Sequence, residues 1–580
     1  MKFRWNIAAQ EPLLAGDIAR KLGIPVLLAQ CLLNRGHSVP DRITHFLEPR
    51  LKHLSDPFLL PDMSLAVERL FQAREKKEQV VIFGDYDVDG VTSTALLLEV
   101  LQRLGWVAEY YLPNRMDEGY GLSREAVANC LHRYPASLLL AVDCGSTAVD
   151  CVQFLKREGT DVIVLDHHQV GPELPPVVAL VNPQAHPASS NGESHSTDFR
   201  ELCSVGLAFK LAHALVKRGR DCGLTEALGF DLRPLLDLVA LGTIADLVPL
   251  TAENRILVSA GLERLNQTQR PGLKALKRVA QCREPLGVYE VGFQLGPRLN
   301  AAGRMETAED ALRLLIAAND TTALPLAMSL DARNRERQEI ERKIATQAIE
   351  ATRSSFDPRR DFAIVQGNAD WHIGVVGIVA SRVLQQFYRP TIIVGGDGGL
   401  LRGSGRSISG FDLANALSQC RDLLLRHGGH AMAAGVTLEP ARLDAFRQKF
   451  NEIARQGLSP ELLQPCLQLD GEVRLHDLDL DCLQRLDQLR PMGQGNPAVQ
   501  FCACNVAHRR PLQRMGASKQ HVKMWVTDGA GSLEAVWWGA GNESLPVGQF
   551  DLAFAPSINQ FNGNSTVQLK VLDWRPATNS

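Results

Sequence analysis

Val80-Val81-Ile82-Phe83-Gly84-Asp85-Tyr86-Asp87-Val88-Asp89-Gly90 sets a short β-branched and aromatic run directly against three carboxylates, and an apolar helical pattern from Val91 to Leu101 follows it. The run predicts a buried strand. Four similar runs, Glu109 to Leu112, Leu138 to Val142, Val162 to Leu165 and Val177 to Val181, recur at spacings that leave room for a crossover helix or a loop. Near-continuous apolar strands alternating with helical patterns predict an α/β fold with a mostly parallel sheet covered on both faces. Open sheets of this kind bind ligands off the carboxyl ends of their strands, which is where Asp85, Asp87 and Asp89 fall. Three acids crowded there repel one another unless a cation sits among them.

Three other readings use the same residues. The D-x-D-x-D-G spacing imitates an EF-hand calcium loop, but that loop needs a bidentate Glu at its twelfth position, which here is Leu96. A strand followed by D-x-D also fits a phosphatase with Asp85 as nucleophile. The bland reading is a solvated acidic turn. More signals of the same kind lie downstream: Val142-Asp143-Cys144-Gly145 and Leu165-Asp166-His167-His168 at two further strand ends, and Leu241-Gly242-Thr243-Ile244-Ala245-Asp246 after an apolar helical run. Alone, the first is a helix cap and the second a structural His pair. Together they place acid or imidazole at the same edge of one sheet from three strands. Carboxylates and imidazoles without thiolate suit Mn2+ or Mg2+ better than Zn2+, and several acids can bridge two ions. The expectation is a dinuclear hydrolase acting at phosphorus.

The chain of 580 residues has 62 Lys and Arg against 65 Asp and Glu, a net charge of −3, and 45% hydrophobic residues. That excludes wholesale disorder and repetitive fibrous classes, and leaves local clusters to supply any attraction to nucleic acid. The twelve cysteines are scattered, with Cys502 and Cys504 the one close couple, so reduced thiols in a cytoplasmic protein are expected. Met1 to Pro12 has no signal-peptide core and no window approaches the ~18 apolar residues of a membrane span.

Proline breaks at Pro25, Pro40, Pro49 and Pro61 predict an N-terminal helical cap over 1–75, followed by the catalytic α/β domain over 76–329. His186 to Thr197 reads as a polar surface loop. The charges crowding Arg333 to Lys343, with Ile340, Ile344 and Ala348 as a narrow stripe, predict a long, mostly solvated connecting helix over 330–354. A second α/β domain is expected over 355–458. Short alternating strands punctuated by glycines predict a β-barrel over 459–580.

Asp85 to Gly90, Val142 to Gly145, Asp166 to His168 and Gly242 to Asp246 stand in the order of the four motifs of the DHH phosphoesterase superfamily. Gly428-Gly429-His430-Ala431-Met432-Ala433-Ala434-Gly435 resembles the glycine-rich signature of its associated second domain, the DHHA1 type. With the β-rich tail, the resemblance points to the branch of single-strand-specific 5' to 3' DNA exonucleases that release mononucleotides in recombination and repair. It implies Asp87 on one metal ion, Asp89, His167 and Asp246 on the other, and Asp143 bridging, with Asp85 ligating or supporting. His168 would contact the scissile phosphate and Asp166 would orient the imidazoles. No motif acid or imidazole is missing, which argues against the catalytically degenerate branch. Alternatives are a relative that hydrolyses small nucleotides, or a non-catalytic single-strand-binding scaffold.

Three Arg-bearing segments read as phosphate-binding loops: Pro113-Asn114-Arg115, Gly296 to Arg304 with Arg298, Asn300 and Arg304, and Arg402 to Ser407 with Ser404 and Arg406. His372, Gly429 and His430 are further candidate substrate contacts. In the tail, Arg509, Arg510, Lys519 and Lys523 lie close to Trp525, the mixture of charge and π faces that a single-strand groove on an oligonucleotide-binding (OB) barrel needs. The expected partners are a single strand with a 5' end, single-strand-binding protein and a repair helicase, around a monomer.

Overall fold

The computed structural model describes residues 3–114, 118, 119, 121–185, 199–305 and 307–577, with the side chains of residues 304, 305 and 542 also left aside. The expected loop at His186 to Thr197 lies outside the described residues, as does Arg115. The chain divides into two compact units, Asp41–Arg335 with Leu489–Pro497, and Met1–Pro40 with Glu336–Gln488 and Ala498–Ser580. Among the described residues, no helix is long and apolar enough to cross a membrane.

The chain opens with strand β1 (Arg4–Ile7), which pairs in parallel with a strand more than four hundred residues later, β12 (Cys466–Leu469). Trp5 Nε1 donates to Asp573 Oδ2 at 2.9 Å, and Arg35 pairs with Asp470 at 2.8 Å. The expected helical cap over 1–75 is therefore corrected: residues 1–40 belong with the C-terminal unit and 41–75 with the other. A four-residue strand that buries none of its residues carries too little periodicity to be read locally.

The first α/β unit is built on β2 (Gln79–Gly84), β3 (Val107–Tyr111), β4 (Leu138–Val142), β5 (Asp161–Leu165) and β6 (Ala179–Val181), all parallel in the order β3-β2-β4-β5-β6. Alternate residues serve opposite faces, as a pleated strand requires. Val80, Ile82, Leu138, Leu140 and Val142 pack with the helices Val88–Arg103, Ser204–Asp221 and Leu236–Ala245. Val81, Phe83, Leu139 and Ala141 pack with Val127, Cys130, Val152 and Leu155. Gly90 makes the turn into the first helix feasible, because a Cβ there would sit 2.5 Å from the Asp85 carbonyl oxygen.

In the other unit a mixed sheet has the order β10-β11-β9-β8-β7, from β7 (Ile364–Asn368), β8 (Thr391–Asp397), β9 (Leu400–Arg406), β10 (Arg426–Gly429) and β11 (Ala433–Leu438). The tail forms a closed five-stranded barrel: β14 (Phe501–His508), β18 (Gln549–Phe561), β19 (Asn564–Pro576), β17 (Ser532–Trp537) and β16 (His521–Thr527), the ring completed by β16 pairing with β14 at Ala507 and Thr527.

Two expectations about charged segments change. The connecting helix runs over Asp320–Ser355, and while Arg335, Glu336, Glu339, Arg342 and Lys343 are exposed as expected, Asp331, Asn334, Arg337 and Glu341 are buried along it. Glu341 is held by Arg337 at 3.2 Å and Arg382 at 2.6 Å, so charges that read as a wet face are ion-paired inside the fold. Gly296 to Arg304 is a helix, Gly296–Met305, not a loop, and Arg402 to Arg406 lies in β9.

Candidate metal centre

The carboxyl ends of β2, β4 and β5 deliver Asp85, Asp143 and the Asp166-His167-His168 triplet to one place, and the C-terminus of the Leu236–Ala245 helix delivers Asp246. Gly242 permits that approach, because a Cβ there would lie 2.3 Å from Thr92 Oγ1 and 3.2 Å from Asp89 Oδ1. His167 Nε2 lies 3.5 Å from Asp143 Oδ1, 3.5 Å from Asp246 Oδ2 and 3.8 Å from Asp89 Oδ2. Three groups, Asp85-Asp87-Asp143, Asp143-His167-His168 and Asp89-Cys203-Asp246, each bring their donor atoms within 4.8 Å of one another. Asp143 belongs to two of them and holds a left-handed backbone at φ 62, a conformation that a non-glycine residue keeps only when its surroundings enforce it.

Neighbouring donors fix each carboxylate. Asp87 caps its helix, Oδ1 accepting from the N–H groups of Asp89 at 2.8 Å and Gly90 at 3.1 Å. Asp89 accepts from the N–H groups of Ser204 at 2.7 Å and Val205 at 2.8 Å, the N-terminus of the Ser204–Asp221 helix, where partial positive charge favours an anion. Ser204 Oγ donates to Asp143 Oδ1 at 2.9 Å. Asp166 accepts from His168 Nδ1 at 2.8 Å and from the Ser146 N–H at 3.1 Å. Asn182 Nδ2 donates to Ser146 Oγ and to the His168 carbonyl, at 2.7 and 2.9 Å.

Burial and mutual repulsion drive Asp89, Asp143 and Asp246 toward their neutral forms. Burial, then Asp87, pushes Asp89 up to about 7, and burial, then Asp89, pushes Asp246 up to about 9. Asp143 is raised well above the carboxylate range by burial and by the surrounding aspartates. The histidines part company. Burial and the neighbouring His168 lower His167 to about 4, leaving a neutral imidazole. Burial opposes charge on His168 too, but its bond to Asp166 raises it to about 9.

These residues fit divalent cations. The Nε2 of His167 and the Oδ2 of Asp246 are buried without a hydrogen-bond partner among the described residues, and the donors are carboxylates with imidazole, suited to Mn2+ or Mg2+. Sequence reasoning missed Cys203, Ser204 and Asn182. Cys203 touches the cluster, yet burial pushes its thiol well above the usual range, so it stays protonated.

The expected substrate contacts divide. Arg298 bonds Asp331 at 2.8 Å and the Gln294 carbonyl, and Asn300 accepts the Val88 N–H at 3.1 Å, so one is an ion pair and the other a brace for the acidic turn. The Ser407 hydroxyl turns inward to the Phe411 carbonyl at 2.7 Å. Arg402 pairs loosely with Asp397, 3.7 Å away. Arg406 bonds Ser404 Oγ at 2.7 Å and has no carboxylate partner among the described residues, and burial lowers its pKa. His372 Nδ1 accepts from the Gly374 N–H, Gly429 has φ 141, and His430 is exposed. On the barrel, Arg510 lies over Trp525 at 5.0 Å and Lys523 pairs with Glu534, while Arg509, Arg510 and Lys519 are exposed. A cavity of about 680 Å³ beside Trp525 is lined by Asp479, Asp481 and Glu534, which favours no phosphate.

Family models match the DHH family, N-terminal domain over residues 79–243, the DHHA1 domain over 360–456 and the RecJ OB domain over 469–573. The single-stranded-DNA-specific exonuclease RecJ of Bacillus subtilis is 38% identical over 99% of this chain and 71% of its own length. That of Dickeya dadantii is 37% identical over 94% and 96%. The chain belongs to the RecJ family. Among solved structures, RecJ of Thermus thermophilus in complex with Mn2+ superposes with a TM-score of 0.84 at 30% identity, over 99% of this chain and 80% of that one, and its Mg2+ complex with 0.77. In RecJ terms, the acidic cluster apart from Asp246 lies in the DHH part, Arg406 in the DHHA1 part and Trp525 in the OB part.

Proposed function

We propose that the chain is a metal-dependent exonuclease that hydrolyses single-stranded DNA from its 5' end and releases mononucleotides, in recombination and repair. The observation that carries this is the convergence of Asp89, Asp143 and Asp246 on the neutral nitrogen of His167, within 3.8 Å. Asp87, with Asp85 beside it, would hold one Mn2+ or Mg2+ ion, Asp89, His167 and Asp246 the second, and Asp143 both. Bound there, two ions supply a nucleophilic water and charge stabilisation at phosphorus.

The protein's own residues do the positioning. Backbone N–H groups of Ser204 and Val205 aim Asp89, and the Ser204 hydroxyl aims Asp143. Asp166 keeps His168 protonated and pointed, so that a cation faces the scissile phosphate. Arg406, desolvated and without a carboxylate partner among the described residues, is the proposed grip for a terminal 5'-phosphate, with Arg115, Arg304, His372 and His430 as further contacts. Arg509, Arg510, Lys519 and Trp525 would extend the strand's path. The proposal includes the domain limits at residues 354 and 458, a cytoplasmic monomer, and single-strand-binding protein and a repair helicase as partners. Incubation of 5'- and 3'-labelled single strands with Mn2+ and, separately, Mg2+ tests it: label should leave the 5' end as mononucleotide first, and a strand left uncut in both ions rejects the reading.

A further inference from the structure

The turn Val288–Glu290, the π-helical Val291–Leu295 and the helix Gly296–Met305 form one continuous rail along the metal centre. Gly292 lies against Ile244 and Gly296 against Ala245, where added Cβ atoms would be 3.7 and 3.5 Å away. Asn300 holds the Val88 N–H, and Gly303 lies against Tyr86. The rail therefore meets, in turn, the segments that carry Asp246, Asp89, and Asp85 with Asp87.

The start of this rail presents two large aromatic rings to solvent. Tyr289 is 62% exposed and Phe293 69% exposed, and their rings stack with centroids 5.0 Å apart at 28°. They flank the entry to a π-helical turn, an element frequently found at functional sites. A cavity of about 470 Å³ beneath Tyr289 is lined by Ser259, Glu290, Arg490 and Met492. Leu247, directly after Asp246, is also 71% exposed, in a left-handed backbone at φ 61.

We propose that Tyr289 and Phe293 form a stacking platform for bases of the single-stranded substrate beside the metal centre. This rests on the exonuclease reading. Every base of the strand carries a π face, so an aromatic platform holds it without regard to sequence. Two rings are a poor protein dock, since a stable interface buries about 800 Å² on each partner.

The test uses the full chain with Mn2+ and two 5'-phosphorylated strands, one intact and one abasic at its 5'-terminal nucleotides. On the intact strand, Tyr289→Ala/Phe293→Ala should raise KM about 10- to 100-fold with kcat little changed, the size of one or two lost stacks. On the abasic strand the variant and the native chain should be indistinguishable, and Tyr289→Phe/Phe293→Tyr should behave as native on both. An unchanged KM on the intact strand, or the same loss on the abasic one, overturns the platform. Should the native chain cut neither strand, the exonuclease reading falls by itself. Quenching of 2-aminopurine near the 5' end, measured in EDTA, then decides the platform: quenching absent from the native chain or retained in the double alanine variant rejects it.

Discussion

The two α/β regions bury charge of opposite sign. In the metal centre of the first, Asp89, Asp143 and Asp246 are pushed up toward neutrality. At the end of β9 in the second, Arg406 is pushed down, with Ser404 and a carbonyl as its partners among the described residues. Arg298, by contrast, has its counter-charge inside the fold, in Asp331 at 2.8 Å. Charge left uncompensated inside a fold marks a place where the counter-charge comes from outside it. The first region asks for cations and the second for an anion.

The hardest blow to this contrast is Asp143→Ala. Removing the carboxylate common to two donor groups should cost about 10³-fold or more in turnover with Mn2+. Metal-free, the same variant should melt at or above the native temperature, because one of the repelling acids is gone. Added Mn2+ should raise the native melting temperature much more than that of the variant. Full turnover in the variant contradicts the assignment, and a lower metal-free melting temperature contradicts the repulsion.

Arg406→Ala probes the other side. Loss of one charge-assisted contact is worth about 10- to 100-fold in kcat/KM on a strand with a 5'-phosphate, and the variant should no longer distinguish it from a 5'-hydroxyl strand. An equal loss on both strands would reduce Arg406 to a structural role in β9.

How far the sequence reaches also differs between the regions. Strands β2, β4 and β5 and their terminal acids are legible because the apolar runs and the residues after them are local. The restraints are not. Ser204 meets Asp143 from 61 residues away, and Asn300 meets Val88 from 212. Arg298 read as a phosphate grip because its neutraliser, Asp331, stands 33 residues on in the connecting helix. Local pattern finds groups that carry charge, whereas which of them is already neutralised is decided by tertiary pairing.

The pH dependence of stability sharpens the contrast further. Asp89 and Asp246 have folded values raised above the ordinary carboxylate range, so in metal-free protein their contribution is complete below about pH 4 and is lost as pH rises through about 7 and about 9. His168 has the same sign, its contribution lost as pH rises through about 9. His167, lowered to about 4, opposes them between about pH 4 and 6.5. The acids outnumber it, so metal-free stability should fall from about pH 5 to 9, by about 1.4 kcal/mol per pH unit for each uncompensated proton. Saturating Mn2+, which binds the ionised acids, should flatten that slope. A denaturant melt in EDTA that grows more stable toward pH 9 contradicts the account.

Ser204→Ala is the mildest test and separates carrying charge from aiming it. The substitution keeps every acid and imidazole, and the backbone N–H groups of residues 204 and 205 still reach Asp89; only the hydroxyl on Asp143 is lost. A lost hydrogen bond behind a metal ligand costs about tenfold, the low end for such partners. The loss should appear as weaker Mn2+ activation, recovered in part by more Mn2+, while Ser204→Thr keeps the hydroxyl and most of the rate. If Ser204→Ala equals Asp143→Ala in severity, Ser204 is required for more than orienting one carboxylate. If it changes nothing, helix position alone aims Asp143, and the left-handed backbone at that residue does the work assigned here to the serine.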